Sequence, residues 1–158
     1  MPLLKRFCHS TRLILKRGKN LRESSLWGTM SSNLRKIRGV RVKRIEDSCS
    51  PGTPDVYIRS IHGSAWAELK HLNAFPKRPT TPVRIPHFTD QQRLWLREEG
   101  LLGGNAWLFI QVGREYFLFD WQAAQHVGIE WTRGDWVVFS KHMWVGRCDW
   151  VELVRIIT

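Results

Sequence analysis

Three charged residues, Asp55, Glu68 and Lys70, interrupt two apolar runs that otherwise have the pattern of β-strands. A strand that buries one face has little use for charged groups there unless they are paired, solvated or bound to a ligand. Glu68 and Lys70 are two residues apart, so on a strand they share a face about 6.6 Å apart, with Trp66 beside them and Leu69 facing the other side. An even-numbered turn between the strands predicts that Asp55 lies on the same face, within roughly 8 Å.

This arrangement of Asp55, Glu68 and Lys70 has the chemistry of a metal site. Two carboxylates on a rigid sheet suit an octahedral cation that prefers oxygen, such as Mg²⁺, with Mn²⁺ able to substitute. The backbone carbonyl of Leu69 is a candidate third ligand. A metal-bound water loses its proton more easily, and Lys70 can orient that water or stabilise charge on a phosphate. A single Glu-x-Lys triplet is common by chance, so a structural salt bridge is the alternative.

The charge balance favours a polyanionic partner. The 158 residues include 25 Lys and Arg against 14 Asp and Glu, and residues 1–50 hold 13 of these cations against three acids. Such a distribution favours nucleic acid first and an anionic membrane surface second, with a solvated basic tail as the alternative. We take DNA as the partner. The candidate nucleic-acid contacts are Lys16, Arg17, Lys19, Arg35, Lys36, Arg41, Lys43, Lys77 and Arg78.

Other features narrow the class of protein. Cys8, Cys49 and Cys148 are widely spaced and odd in number, which is neither a disulfide framework nor a zinc pattern and favours a cytoplasmic location. No segment approaches the ~18 consecutive apolar residues of a membrane span. Residues 1–20 contain no acid and no unbroken apolar stretch of secretory-signal length, so they are predicted to form a basic arm, with an organellar presequence left open.

The first elements of the chain are predicted from their apolar spacing. An amphipathic helix begins at Leu21 and ends near Gly39, with Glu23 in its first turn. A strand with a basic face follows over 40–46, and a hairpin spans 55–72. The next segment, 73–88, holds four prolines and is predicted to be irregular.

Later elements follow from capping and turn signals. Thr89 and Gln92 have the spacing of a helix cap, and Leu94, Trp95 and Leu101 are predicted to face the core from that helix. Residues 105–120 are predicted to form a second hairpin that turns at Gly113-Arg114. Over 121–128 we expect a short helix, and the segments "DWVVFSKHMWV" and "DWVELVRII" are predicted as strands. The resulting class is α/β (α+β), a mixed central sheet flanked by helices.

Four short motifs in this order resemble those of the PD-(D/E)xK nuclease superfamily. They are a helical glutamate, Glu23, then Gly52-x-Pro54-Asp55, then Glu68-x-Lys70, and last Thr89-x-x-Gln92-x-x-Trp95-Leu96. Within the superfamily the pattern is similar to VRR-NUC domains and archaeal-type Holliday junction resolvases. The resemblance covers about residues 21–120 and implies a restriction-endonuclease-like core there. Residues 1–20 would then be the basic arm and 121–158 a β-rich extension of the same domain.

The resemblance also implies roles for the residues of the motifs. Asp55 and Glu68 would be metal ligands, Lys70 the catalytic lysine, and Glu23 an accessory acid. Gln92 would support the metal site or contact DNA, although it could simply complete its helix cap.

The expected activity is that of a Mg²⁺-dependent endodeoxyribonuclease, with Holliday junctions or other branched DNA as one substrate class. Symmetric cutting of a junction would call for a homodimer. A restriction-like or single-strand-specific nuclease is an alternative. A non-catalytic nucleic-acid-binding protein is another, of a different class.

Overall fold

A computed structural model describes residues 21–46 and 50–158 of the chain, with side chains from Ser25 onward. Its helices and strands, in chain order, are α1 (Leu21–Leu34), β1 (Arg41–Arg44), β2 (Val56–Arg59), β3 (Ser64–Leu72), α2 (Asp90–Leu101), β4 (Ala106–Val112), β5 (Glu115–Asp120), a 3₁₀ turn (Ala123–Gln125), α3 (Arg133–Phe139), β6 (His142–Val145) and α4 (Trp150–Ile157). This composition confirms the predicted mixture of helices and a sheet.

The six strands form one mixed sheet in the order β1-β2-β3-β4-β5-β6. Every neighbouring pair is antiparallel except β3 and β4, which are parallel. A parallel pair needs a crossover between its strands, and the segment that contains α2 provides it.

Each face of the sheet packs against different helices. On one face, α1 and α4 cover a core that includes Leu26, Met30, Ala67, Leu69 and Leu153. On the other face, α2, α3 and the proline-rich segment cover a core that includes Leu96, Leu108, Ile110, Phe117 and Trp136. Because side chains alternate along β3, residues 66, 68 and 70 point to the face that α2 covers.

The first helix has the predicted buried stripe. Leu26, Met30 and Leu34 are four residues apart and fully buried. The helix ends at Leu34, earlier than predicted, and the chain turns at Gly39, whose φ of +81° is accessible to glycine at little cost. The side chain of Glu23 and the basic arm over residues 1–20 lie outside the described part of the chain.

Both predicted hairpins are present. The pairing of Arg59 with Ser64 leaves a turn of four residues, 60–63, between β2 and β3, so the turn meets the even-numbered condition under which Asp55 shares the face of Glu68. The pairing of Val112 with Glu115 leaves Gly113 and Arg114 as the turn of the second hairpin.

The predicted cap of α2 is present, but its predicted buried side is partly wrong. Leu94 and Leu101 are 50% and 63% exposed, whereas Arg93 and Leu96 are buried. Arg93 tolerates burial because its guanidinium lies 4.1 Å from the centre of the Phe88 ring and donates a hydrogen bond to the Ala124 carbonyl over 2.6 Å.

The prediction of a β-rich extension over 121–158 is wrong. Only β6 is a strand there, and the segments beginning at Arg133 and Trp150 are helices. Thr132 and Asp135 form a reciprocal capping box at α3, and the Asp149 side chain accepts two backbone N–H groups at the start of α4. The short helix predicted over 121–128 is a single 3₁₀ turn. None of the helices in the described residues has the length and apolar character needed to cross a membrane.

Candidate active site

Asp55 lies immediately before β2, directly across from Glu68. The pairing of Val56 with Ala67 sets this register. Asp55 Oδ2 accepts the backbone N–H of Leu69 over 3.2 Å, and the Asp55 carbonyl accepts the N–H of Ile45 over 2.8 Å. Both bonds hold the carboxylate at the point where β2 begins. Asp55 remains partly exposed, so solvent or a ligand can reach it.

Glu68 is completely buried, and its two carboxylate oxygens have different surroundings. Oε1 accepts from Lys70 Nζ over 2.8 Å and from Gln92 Nε2 over 2.5 Å. No N–H or O–H group of the described residues donates to the buried Oε2, and Glu68 can hydrogen-bond to the Asp55 carboxylate when one of the two acids is protonated. An unpaired carboxylate oxygen in a protein interior costs free energy, so a proton or a cation is expected at this position.

The environment of Glu68 favours its neutral form in the absence of a cation. Burial, followed by the nearby negative charge of Asp55, raises the pKa of Glu68 to about 8, although Lys70 opposes the shift. Two carboxylates this close together repel each other unless one is protonated or a cation lies between them.

Lys70, like Glu68, is buried and makes two polar contacts. The residue is 3% exposed, and its Nζ donates to the His87 carbonyl over 3.0 Å in addition to Glu68. An ammonium group has three N–H donors, so one of them has no partner among the described residues and can serve a ligand. His87 has a φ of 62°, in the left-handed region that residues other than glycine seldom occupy. Strained backbone of this kind occurs preferentially at functional sites.

Gln92 serves both the helix cap and the site. Its backbone N–H donates to Thr89 Oγ1, and its side-chain oxygen accepts the Thr89 backbone N–H over 3.0 Å. Because a backbone N–H can pair only with the amide oxygen, the amide nitrogen must face Glu68. A single orientation of the Gln92 side chain therefore both completes the helix cap and contacts Glu68.

The Leu69 backbone faces Asp55 while its side chain is buried in the opposite core. The N–H and C=O of a strand residue point to the same side of the strand, as in a hydrogen-bonded antiparallel pair. Since the Leu69 N–H reaches Asp55 Oδ2, its carbonyl is directed to the same side. The Leu69 carbonyl thus remains a candidate ligand.

These oxygens suit a hard divalent cation. Asp55, the unpartnered Oε2 of Glu68 and the Leu69 carbonyl are all oxygen donors, and Mg²⁺ commonly binds through one or two carboxylates while keeping several waters. Where side chains are described, no three or more His, Cys, Asp and Glu residues converge. The site therefore has two carboxylates, and the position of the Glu23 side chain lies outside that part of the structure.

Six of the nine predicted nucleic-acid contacts lie in the described part of the chain, at three separate places. The six that the structure describes are all exposed: Arg35 and Lys36 follow α1, Arg41 and Lys43 lie on the edge strand β1, and Lys77 and Arg78 lie in the proline-rich segment. Lys16, Arg17 and Lys19 lie outside the described residues. Two residues that the sequence analysis did not single out, Tyr57 and Arg59, pair with Lys43 and Arg41 on the face that carries Glu68. Because Tyr57 and Arg59 alternate with the apolar Val56 and Ile58, the sequence could have placed both on the face opposite these two buried residues.

No protein-family model matches this chain, and no curated protein matches it in a sequence search. What the protein does is therefore inferred from its own residues.

Proposed function

We propose that this protein is a Mg²⁺-dependent endonuclease that hydrolyses phosphodiester bonds of DNA. One observation carries the proposal. Glu68 is fully buried, no N–H or O–H group of the described residues donates to its Oε2, and it lies 2.8 Å from Lys70 and directly opposite Asp55 on the same face of the sheet. A buried carboxylate beside a second carboxylate is stable only when the two share a proton or a cation lies between them. A binding role for Oε2 explains why the chain keeps it.

Each residue has a role that follows from its position. Asp55, Glu68 and the Leu69 carbonyl would hold the cation, which when bound would supply positive charge to the scissile phosphate and make a water easier to deprotonate. Lys70 directs its remaining N–H toward the attacking water or a phosphate oxygen. Gln92 fixes the orientation of the Glu68 carboxylate from α2. Glu23, at the start of α1, is assigned the accessory acid.

The order of the elements supports a restriction-endonuclease-like core over residues 21–120. The resemblance implies a helix, a mixed sheet and a second helix, and the chain has α1, three antiparallel strands, α2 and then a strand parallel to β3. The charge supports DNA as the substrate, because the formal net charge of +11 suits a polyanion.

A non-catalytic nucleic-acid-binding protein is a second candidate, and the 2.8 Å ion pair between Lys70 and Glu68 favours it. In that case the pair would be structural, and the chain would bind DNA without cutting it.

Cleavage assays separate the two candidates. Wild-type protein is incubated with plasmid, single-stranded, flap and four-way-junction DNA, with Mg²⁺ or with EDTA. Cutting should require Mg²⁺, and Asp55→Asn, Glu68→Gln and Lys70→Ala should each lower it by orders of magnitude. Glu98→Gln, an exposed change on α2 that removes the same charge as Glu68→Gln, is the matched control and should cut normally.

Thermal melts must accompany these assays to show that each variant is folded. Folded Asp55→Asn and Glu68→Gln proteins that cut at the wild-type rate would exclude the metal site. A wild-type protein that binds but never cuts any of these DNAs would leave the non-catalytic candidate.

Selectivity for branched DNA is a narrower proposal, with a homodimer as its requirement. Two symmetric cuts in a junction are most simply made by two copies related by a twofold axis. Light scattering should give a dimer mass when the protein is mixed with junction DNA. A monomer mass both free and bound would exclude the resolvase form and leave the nuclease proposal intact.

A further inference from the structure

The site belongs to an ordered set of side chains on one face of the sheet. Asp55 faces Glu68 at one end of β2 and β3, and the next pair on this face is Tyr57 and Trp66. Lys43 is the neighbour of Tyr57 on β1. Two residues along a strand span about 6.6 to 6.8 Å, so the aromatic pair lies one such step from the carboxylates.

Aromatic rings continue from this pair to α2. The Tyr57 and Trp66 ring centres are 4.9 Å apart, and those of Trp66 and Trp95 are 5.2 Å apart in an edge-to-face contact. Both Tyr57 and Trp66 are partly exposed. Three rings therefore lie beside the carboxylates and remain in part open to solvent.

Basic residues flank the aromatic pair on its outer side. A groove of about 550 Å³ is lined by four cations, Arg35, Arg41, Lys43 and Arg59, together with Tyr57 and the apolar Val40 and Val42, and no acid is among its lining residues. Within the described chain, none of these four cations forms an ion pair with a carboxylate. Four unneutralised cations beside an aromatic side chain are complementary to a phosphate backbone that carries exposed bases.

We propose that Tyr57 and Trp66 bind a single-stranded segment of DNA next to the cleavage site. The bases stack on the two rings while Arg41, Lys43 and Arg59 contact the phosphates. Bases in a duplex are already stacked on each other and cannot present a face to a protein ring, so this surface selects unpaired nucleotides. The statement that this strand is then cut rests on the proposed nuclease function, whereas the binding surface does not.

Binding in EDTA tests the surface without any cleavage. Fluorescence anisotropy with a labelled oligodeoxythymidine and with a blunt duplex of equal length compares four proteins: wild type, Tyr57→Leu, Tyr57→Phe and Lys43→Gln. Tyr57→Leu removes the stacking ring and should weaken single-strand binding about tenfold, but duplex binding less than twofold. Tyr57→Phe keeps the ring and should bind as wild type. Lys43→Gln should weaken both DNAs and reduce the salt dependence of both.

A second measurement does not depend on a variant that folds. An oligonucleotide containing bromodeoxyuridine, crosslinked to wild-type protein by ultraviolet light, should label the peptides that contain Tyr57 or Trp66. Labelling only elsewhere, or an equal loss of single-strand and duplex binding in Tyr57→Leu, would overturn the proposal. If ring-dependent single-strand binding is seen but Mg²⁺ supports no cleavage, the surface stands and the nuclease function fails. Cleavage in Mg²⁺ without ring-dependent single-strand binding would exclude the binding surface and leave the nuclease function intact.

Discussion

Gln92 joins a helix cap to a buried carboxylate: its amide nitrogen donates to Glu68 Oε1 over 2.5 Å while its amide oxygen accepts the Thr89 backbone N–H. The first turn of α2 and the orientation of Glu68 therefore depend on the same side chain. A second link runs through Lys70, which bonds both Glu68 and the chain just before the cap. The site is thus braced from the crossover segment as well as from the sheet.

Gln92→Glu should separate these two roles of the residue. A glutamate at the third helical position preserves the capping box, but it replaces the donor to Glu68 with a second carboxylate. We expect a loss of about 1–3 kcal/mol in the free energy of unfolding at pH 9, measured by urea denaturation. Gln91→Glu, an exposed change that adds the same charge to the same turn, should be neutral or slightly stabilising. Equal effects of the two changes would show that the bond to Glu68 contributes nothing.

Glu68 should make the metal-free protein less stable as pH rises. Its pKa is raised from 4.5 to about 8 in the folded state, so between these values the folded protein binds more protons than the unfolded chain. Stability from this group is fully present below pH 4.5 and is lost as pH rises to about 8. The Tm in EDTA should fall across this range relative to that of Glu68→Gln. Saturating Mg²⁺ should reduce the fall, because the cation binds the ionised carboxylate. A Tm difference that is constant with pH would contradict the raised pKa.

His87→Gly should keep the site and relieve backbone strain. The φ of 62° costs a residue with a side chain roughly 1–2 kcal/mol that glycine avoids, in part offset by the greater freedom of glycine in the unfolded chain. The bond to Lys70 uses the backbone carbonyl of His87 and is unaffected. We expect an equal or higher Tm and unchanged cleavage. His87→Val, with a branched side chain at the same φ, should lower the Tm, and a comparable loss in both variants would assign a role to the imidazole.

Deletion of residues 1–19 should weaken binding to all duplex sequences alike. The segment contains Lys16, Arg17 and Lys19 among its cations and no acid, so its contacts are expected to be with phosphates. Each lost contact should change the slope of log affinity against log salt by about 0.9. Titrations at several salt concentrations measure this slope. An unchanged slope would assign the arm to a role other than DNA binding.

The sequence was sufficient wherever a structural outcome depends on near neighbours in the chain. The spacing of Glu68 and Lys70 placed both on one face of β3, whereas the position of Asp55 opposite Glu68 depended on a turn parity that only the strand register of the structure supplied. The cap of α2 at Thr89 and Gln92 was equally predictable, because it involves residues three apart. In each case backbone geometry alone determines the relation.

The C-terminal elements show where such local reasoning is insufficient. "DWVELVRII" is short and rich in β-branched residues, which favours a strand, yet it forms α4. An eight-residue apolar segment is compatible with either period, and tertiary packing decides between them. As a helix, α4 buries Leu153, Val154 and Ile157 in the core that α1 also covers, and Asp149 satisfies its first N–H groups.

The sequence by itself determined which residues carry the chemistry of the candidate site and which strand face they share. Only the tertiary structure decided the environment of those residues: the complete burial of Glu68, the unpartnered Oε2, and the contact of Lys70 with the His87 carbonyl. It also placed Tyr57 beside Trp66 and left Arg93, rather than Leu94, buried on α2. Burial and partnership depend on segments far apart in the chain that meet only after folding, whereas facing and spacing follow from the local geometry of a strand or a helix.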